Sequence, residues 1–90
     1  MNVLDLNDLK VTIGSSVTLR DLATGDVEIY TLVPPAKANI ADNRISSTTP
    51  MAHAIYGRQA GDEVEVAAPA GAIRLRVESV RPPVEADEYG

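Results

Sequence analysis

Residues 63–78 read Glu-Val-Glu-Val-Ala-Ala-Pro-Ala-Gly-Ala-Ile-Arg-Leu-Arg-Val-Glu. Apolar and charged side chains alternate on both flanks, the period of a strand with one buried face. Val64 and Val66 fall on one side and Glu63 and Glu65 on the other. Ile73, Leu75 and Val77 continue the apolar side, while Arg74, Arg76 and Glu78 continue the polar one. Ala68-Pro-Ala-Gly71 between them carries turn chemistry. The stretch predicts a β-hairpin with one face on a core and the other in water. Pro82-Pro83 ends its second strand, because proline cannot donate to a ladder.

The same reasoning extends upstream. Ser16-Val-Thr-Leu-Arg20 alternates and places Val17 and Leu19 on one face. Asp21-Leu-Ala-Thr-Gly-Asp26 is a turn in which Gly25 can take a positive φ. Val27–Val33 is rich in branched residues, with Val27, Ile29 and Thr31 opposite Tyr30 and Leu32. These two runs predict a second hairpin, stopped by Pro34-Pro35. Ala36–Arg44 reads as loop and Ile45–Ser47 as a short strand.

A helix is expected after Thr49, which suits an N-cap followed by proline at the first helical position. Met51, Ala54, Ile55 and Tyr56 form its expected buried side, and Gly57 stops it. Two turns cannot hold themselves, so packing must. The sum is an α+β domain: a small antiparallel β-sheet with one short helix packed on it. Residues 1–11 read as a lead-in docked as a turn of helix or strand, 12–81 as the domain, and 82–90 as a disordered acidic tail.

Composition narrows the function. The chain has 90 residues with 44% hydrophobic and 23% charged, one globular domain's worth. A chain of this size buries roughly 60% of its extended surface. No cysteine and one histidine, His53, exclude thiolate chemistry and argue against a zinc or haem site. No cofactor or metal is expected. Nothing approaches a membrane span, and Met1–Lys10 lacks the form of a signal peptide, so a cytoplasmic protein is expected. The net charge of −5 comes from Asp5, Asp8, Glu85, Asp87 and Glu88 at the two ends; Lys10 to Arg81 holds eight basic and eight acidic residues. Without a basic face, direct nucleic-acid binding is not expected.

Ser46-Ser-Thr-Thr-Pro-Met-Ala-His-Ala-Ile-Tyr-Gly57, followed by Gly61-Asp-Glu63, resembles the signature of the C-terminal domain of Gre-type transcript-cleavage factors (GreA, GreB and the related Rnk). Thr49 stands where serine is usual. Ile13–Gly25 is similar to that family's opening hairpin, Val27–Pro34 to its second strand, and Gly61–Gly71 with the final strand to its closing hairpin. The resemblance covers residues 12–81. It implies an FK506-binding-protein-like fold that docks on the rim of the bacterial RNA polymerase secondary channel. Apart from the resemblance, a monomer is expected, with pairing of edge strands between copies as the alternative. In that family a separate N-terminal coiled coil carries the acidic tip that helps hold a catalytic magnesium. Met1–Gly14 is too short for two such helices, so the resemblance implies regulation of elongation by docking, without cleavage stimulation.

The family's contact loop carries over to Thr49 and Pro50, with Thr48 just before them, and Met51 joins the candidate contacts because an exposed methionine adds adaptable contact area. Thr48 lies where some relatives have aspartate or asparagine. The same four residues also read as nothing more than a helix cap, and the readings are compatible, because a cap fixes the loop a partner meets. Alternatives are an interaction domain with a non-polymerase partner, and a prolyl isomerase of the FK506-binding type. The second needs a pocket lined by several aromatics, and this chain has no Trp, no Phe and three Tyr. His53 is expected to be exposed and without a catalytic partner. Asp62, Glu63 and Glu65 read as a solvated sheet face, with magnesium binding the remote alternative. Arg58, Arg74 and Arg76 are placed either to meet an acidic partner or to pair with Glu63, Glu65 and Glu78.

Overall fold

The structure, a computed structural model, describes residues 9–83. The expected lead-in and acidic tail lie largely outside that range. Strands β1 (Ser16–Asp21) and β2 (Val27–Val33) form the first hairpin; β3 (Arg44–Ser46), helix α1 (Pro50–Ile55), β4 (Glu63–Val66) and β5 (Ile73–Arg81) follow. The sheet order is β3-β2-β1-β5-β4. Both expected hairpins are present, and β5 joins them by pairing antiparallel with β1.

Three features depart from the simple pattern. First, β3 pairs parallel with β2, Leu32 opposite Ile45, so the sheet is mixed rather than antiparallel throughout. A short segment, Pro34–Asn43, makes this reversal with two tight turns at Pro35–Lys37 and Ile40–Asp42, the second ending on Asn43 at φ 57°. Second, β5 carries a bulge. Thr18 faces Ser79 and Leu19 faces Val77, leaving Glu78 as the extra residue. The inserted residue resets the alternation, so Val77 and Val80, three apart, are both buried. Third, the buried side of α1 is Ala52 and Ile55, with Met51 and Ala54 partly buried. Tyr56 was expected inward but leaves the helix with ψ 130° and is 55% exposed.

One face of the sheet makes the core. Val17, Leu19, Leu32, Ile45, Val64, Val66, Leu75, Val77 and Val80 pack there with Ala52 and Ile55 of α1. Val11 completes it, its backbone bridging Gly57 and Arg58 just past the helix. Ile73, expected inward, is 38% exposed at the turn end of its hairpin, opposite Val66.

The outer face carries an ion ladder. Arg20 Nε lies 3.0 Å from Glu78, and Arg76 reaches both Glu78 at 3.6 Å and Glu63 at 3.2 Å. Arg74 adds a contact to Glu63 at 3.6 Å. Cross-strand register makes this possible, since Glu63 sits opposite Arg76, and the bulge sets Glu78 between Arg20 and Arg76. No helix among the described residues is long and apolar enough to cross a membrane.

Candidate docking loop

The chain from Ser46 to Pro50 is held by its own hydroxyls. Ser46 Oγ accepts from the Thr48 backbone N–H at 3.1 Å and shares a 2.7 Å hydrogen bond with Thr48 Oγ1. Thr49 Oγ1 donates to the Ser46 carbonyl at 2.9 Å and accepts from the Ala52 N–H at 3.2 Å. The second bond is the helix cap predicted from Thr49-Pro50, with Thr49 in extended backbone at φ −80° and ψ 157°. The Ser47 N–H donates to the Val33 carbonyl at 2.8 Å and ties the loop to β2. Short polar side chains thus satisfy the backbone groups that a helix start leaves open.

The four residues named from sequence divide by exposure. Thr48 and Pro50 are exposed at the tip. Thr49 is half-buried and spends its hydroxyl on the cap. Met51 is half-buried against the core, so it supports the loop from beneath more than it presents a surface. His53 is exposed one turn further along, and Tyr56 exposes its ring at the far end of α1. The sequence reading did not single out Ser46 as the latch. The signal was there: a Ser two residues before a Thr at a strand end is a local side-chain turn.

The remaining candidates do not join this loop. Asp62 Oδ2 accepts from the Gln59 N–H at 2.8 Å and closes a tight turn. Glu63 lies against two arginines in the ladder. No group of His, Asp and Glu among the described residues is arranged to hold a metal ion. A cavity of about 420 Å³ opens between the β1–β2 turn and the start of β5, lined by Asp21, Leu22, Ala23, Glu63, Ala72, Ile73 and Arg74. No aromatic ring lines it, and it lies on strands away from the loop.

Comparison with known proteins gives a consistent picture. A family model described as "Transcription elongation factor, GreA/GreB, C-term" matches residues 6–82. The chain is 40% identical over 83 residues to a transcription elongation factor GreA of Nitratidesulfovibrio vulgaris, covering 89% of this chain and 51% of that protein. It is 43% identical over 74 residues to the GreA of Hyphomonas neptunium, covering 79% and 47%. Among solved structures, the transcription factor Gfh1 superposes with a TM-score of 0.76 at 32% identity, over 82% of this chain and 49% of that one. A GreA/GreB elongation factor from Nitrosomonas europaea superposes with a TM-score of 0.68 at 32% identity, over 80% and 60%. The chain spans about half the length of the curated relatives it matches.

Proposed function

The chain belongs to the GreA/GreB C-terminal domain family of transcription elongation factors, and on that premise we propose that it is a docking module for bacterial RNA polymerase. The loop Thr48–Pro50 is the proposed contact, seated at the rim of the secondary channel. The observation that carries the reading is the loop itself. Its two exposed residues, Thr48 and Pro50, stand on backbone fixed by the Ser46 and Thr49 hydroxyls. A pre-ordered loop loses little conformational entropy when a partner covers it.

Residues 9–83 regulate elongation in this account by occupying the rim, and transcript-cleavage stimulation is not assigned to them. On the outer sheet face Glu63 and Glu78 are engaged by Arg20, Arg74 and Arg76.

The test is retention of purified bacterial RNA polymerase on the immobilised chain, with full-length GreA as competitor. Retention that GreA displaces is the expected result. No retention, or retention indifferent to excess GreA, overturns the assignment.

A further inference from the structure

Two arginines stand apart from the ion ladder. Register places Arg81, Ser16, Thr31 and Arg44 in one row across β5, β1, β2 and β3. The row lies on the outer face, because the neighbouring residues along each strand, Val80, Val17, Leu32 and Ile45, are buried in the core. Arg44 and Arg81 are exposed, and no ion pair among the described residues involves either one. Between them the Ser16 and Thr31 hydroxyls share a hydrogen bond of 3.3 Å. One hydroxyl proton serves that bond, which leaves the other to donate outward. A second row, Ser79, Thr18 and Ile29, runs beside the first, and Ile29 is 59% exposed. Neither row holds a carboxylate.

The first row therefore offers a cation, a hydroxyl pair and a second cation over three strand spacings, about 14 Å. An extended peptide repeats its side chains on one face every two residues, so carboxylates four residues apart stand about 13 Å from one another. Two such carboxylates meet the guanidinium groups, and a third midway between them meets the free hydroxyl proton. Nucleic acid fits less well. Two cations neutralise few phosphates, and neither row offers an aromatic ring on which a base could stack. Residues 9–83 hold eight basic and eight acidic side chains, so the attraction comes from the local arrangement and not from net charge.

We infer that the row Arg81–Ser16–Thr31–Arg44 is a docking strip for an extended acidic segment of a protein partner, with carboxylates on alternate residues and Ile29 as the apolar margin. Arg44 opens β3, whose last residue, Ser46, latches the loop. One three-residue strand thus joins the strip to Thr48–Pro50, and a partner seated on the strip stands next to the loop. That this partner is the polymerase rests on the proposed function; the choice of carboxylates by the strip does not.

The test titrates the full isotope-labelled chain with a synthetic peptide in which three aspartates alternate with serines. Parallel titrations use the same peptide with asparagine for aspartate, and a single-stranded RNA of similar length. Amide signals are recorded at about 20 mM and about 500 mM salt, where screening shortens from roughly 20 Å to a few ångströms. At low salt the aspartate peptide is expected to shift the Ser16, Thr31, Arg44 and Arg81 amides, saturably, while Val64 and Val66 on β4 stay in place. The asparagine peptide and high salt are expected to abolish the shifts. Arg44→Gln with Arg81→Gln is expected to weaken binding at least about fivefold. Arg58→Gln with Arg74→Gln, which removes the same charge elsewhere, is expected to leave it unchanged. No saturable shift along the row overturns the strip, as does an equal response to the asparagine peptide or equal weakening by the two pairs of substitutions. Tighter binding of the RNA at the same amides assigns the row to phosphate and also overturns it. No polymerase enters the experiment, so its failure is distinct from failure of the docking reading.

Discussion

Thr49 Oγ1 stands 2.9 Å from the Ser46 carbonyl oxygen and donates its proton there, while accepting from the Ala52 N–H at 3.2 Å. One hydroxyl thus joins the end of β3 to the start of α1. Thr49→Ala removes both bonds and leaves the cap unmade. The expected cost is about 1–2 kcal/mol, or a drop of roughly 4–16 °C in melting temperature for a domain of this size. Thr49→Ser keeps the hydroxyl and is expected to stay close to the parent. Thermal denaturation of the two variants checks both statements.

Ile55 is fully buried between α1 and the sheet. The helix has six residues and no independent stability, so this contact decides whether it forms. Ile55→Ala is expected to cost about 2–5 kcal/mol, measured by urea denaturation. It is also expected to release the loop, seen as faster amide exchange at Ala52 and His53. The exposed His53→Ala, on the same helix, is expected to change stability by less than about 0.5 kcal/mol.

These two positions show how much of the fold was readable in the residues alone. Thr49-Pro50 announced the helix start because a cap and a proline have strict local chemistry. Glu63–Val66 and Ile73–Val77 announced a hairpin because charge and branch alternate without a fault. The sequence reading was less complete where the period breaks. Val80 lies three residues after Val77, and only the bulge at Glu78 puts both in the core. The parallel pairing of β3 depends on the path of Pro34–Asn43, which alternation does not encode. Tyr56 looked like a helix residue by spacing, yet the helix ends at Ile55 and turns the ring outward. At the loop the residue types were legible, but the division into exposed Thr48 and Pro50 and supporting Thr49 and Met51 was not. That division depends on where β3 delivers the chain.

Gly14 and Gly25 both have positive φ, 94° and 83°, but their surroundings differ. A Cβ at Gly14 meets Pro83 at 2.8 Å, whereas at Gly25 it meets nothing within 4 Å. Gly25→Ala is expected to cost the conformational penalty alone, about 1–2 kcal/mol. Gly14→Ala is expected to cost more, about 2–4 kcal/mol, because Pro83 must also move. Equal effects in a urea titration would show that Pro83 is not held against Gly14.

Glu78 is the shared anion of the ladder, facing Arg20 and Arg76 from the bulge. Its side chain is 29% exposed, against 41% for Arg20. Glu78→Gln is expected to lower stability by about 0.5–1 kcal/mol at low salt. The difference should shrink at about 1 M salt, where the screening length is roughly 3 Å. A difference of the same size in both salts would mean that packing at the bulge, not charge, sets the cost.

The central claim is that Thr48–Pro50 is the surface that meets RNA polymerase, and it is tested most directly by the affinity of a folded loop variant. Thr48→Arg places a bulky charge at the exposed tip while leaving Thr49 and its cap in place. Arg74→Gln serves as the control, at the far end of β5 and three strand positions from β3. Binding to bacterial RNA polymerase is measured for the parent and both variants, each verified as folded by its amide spectrum. The account predicts at least a tenfold loss for Thr48→Arg, about 1.4 kcal/mol, and parent-like binding for Arg74→Gln. Equal affinity of Thr48→Arg and the parent, or no measurable binding by the parent, would contradict it.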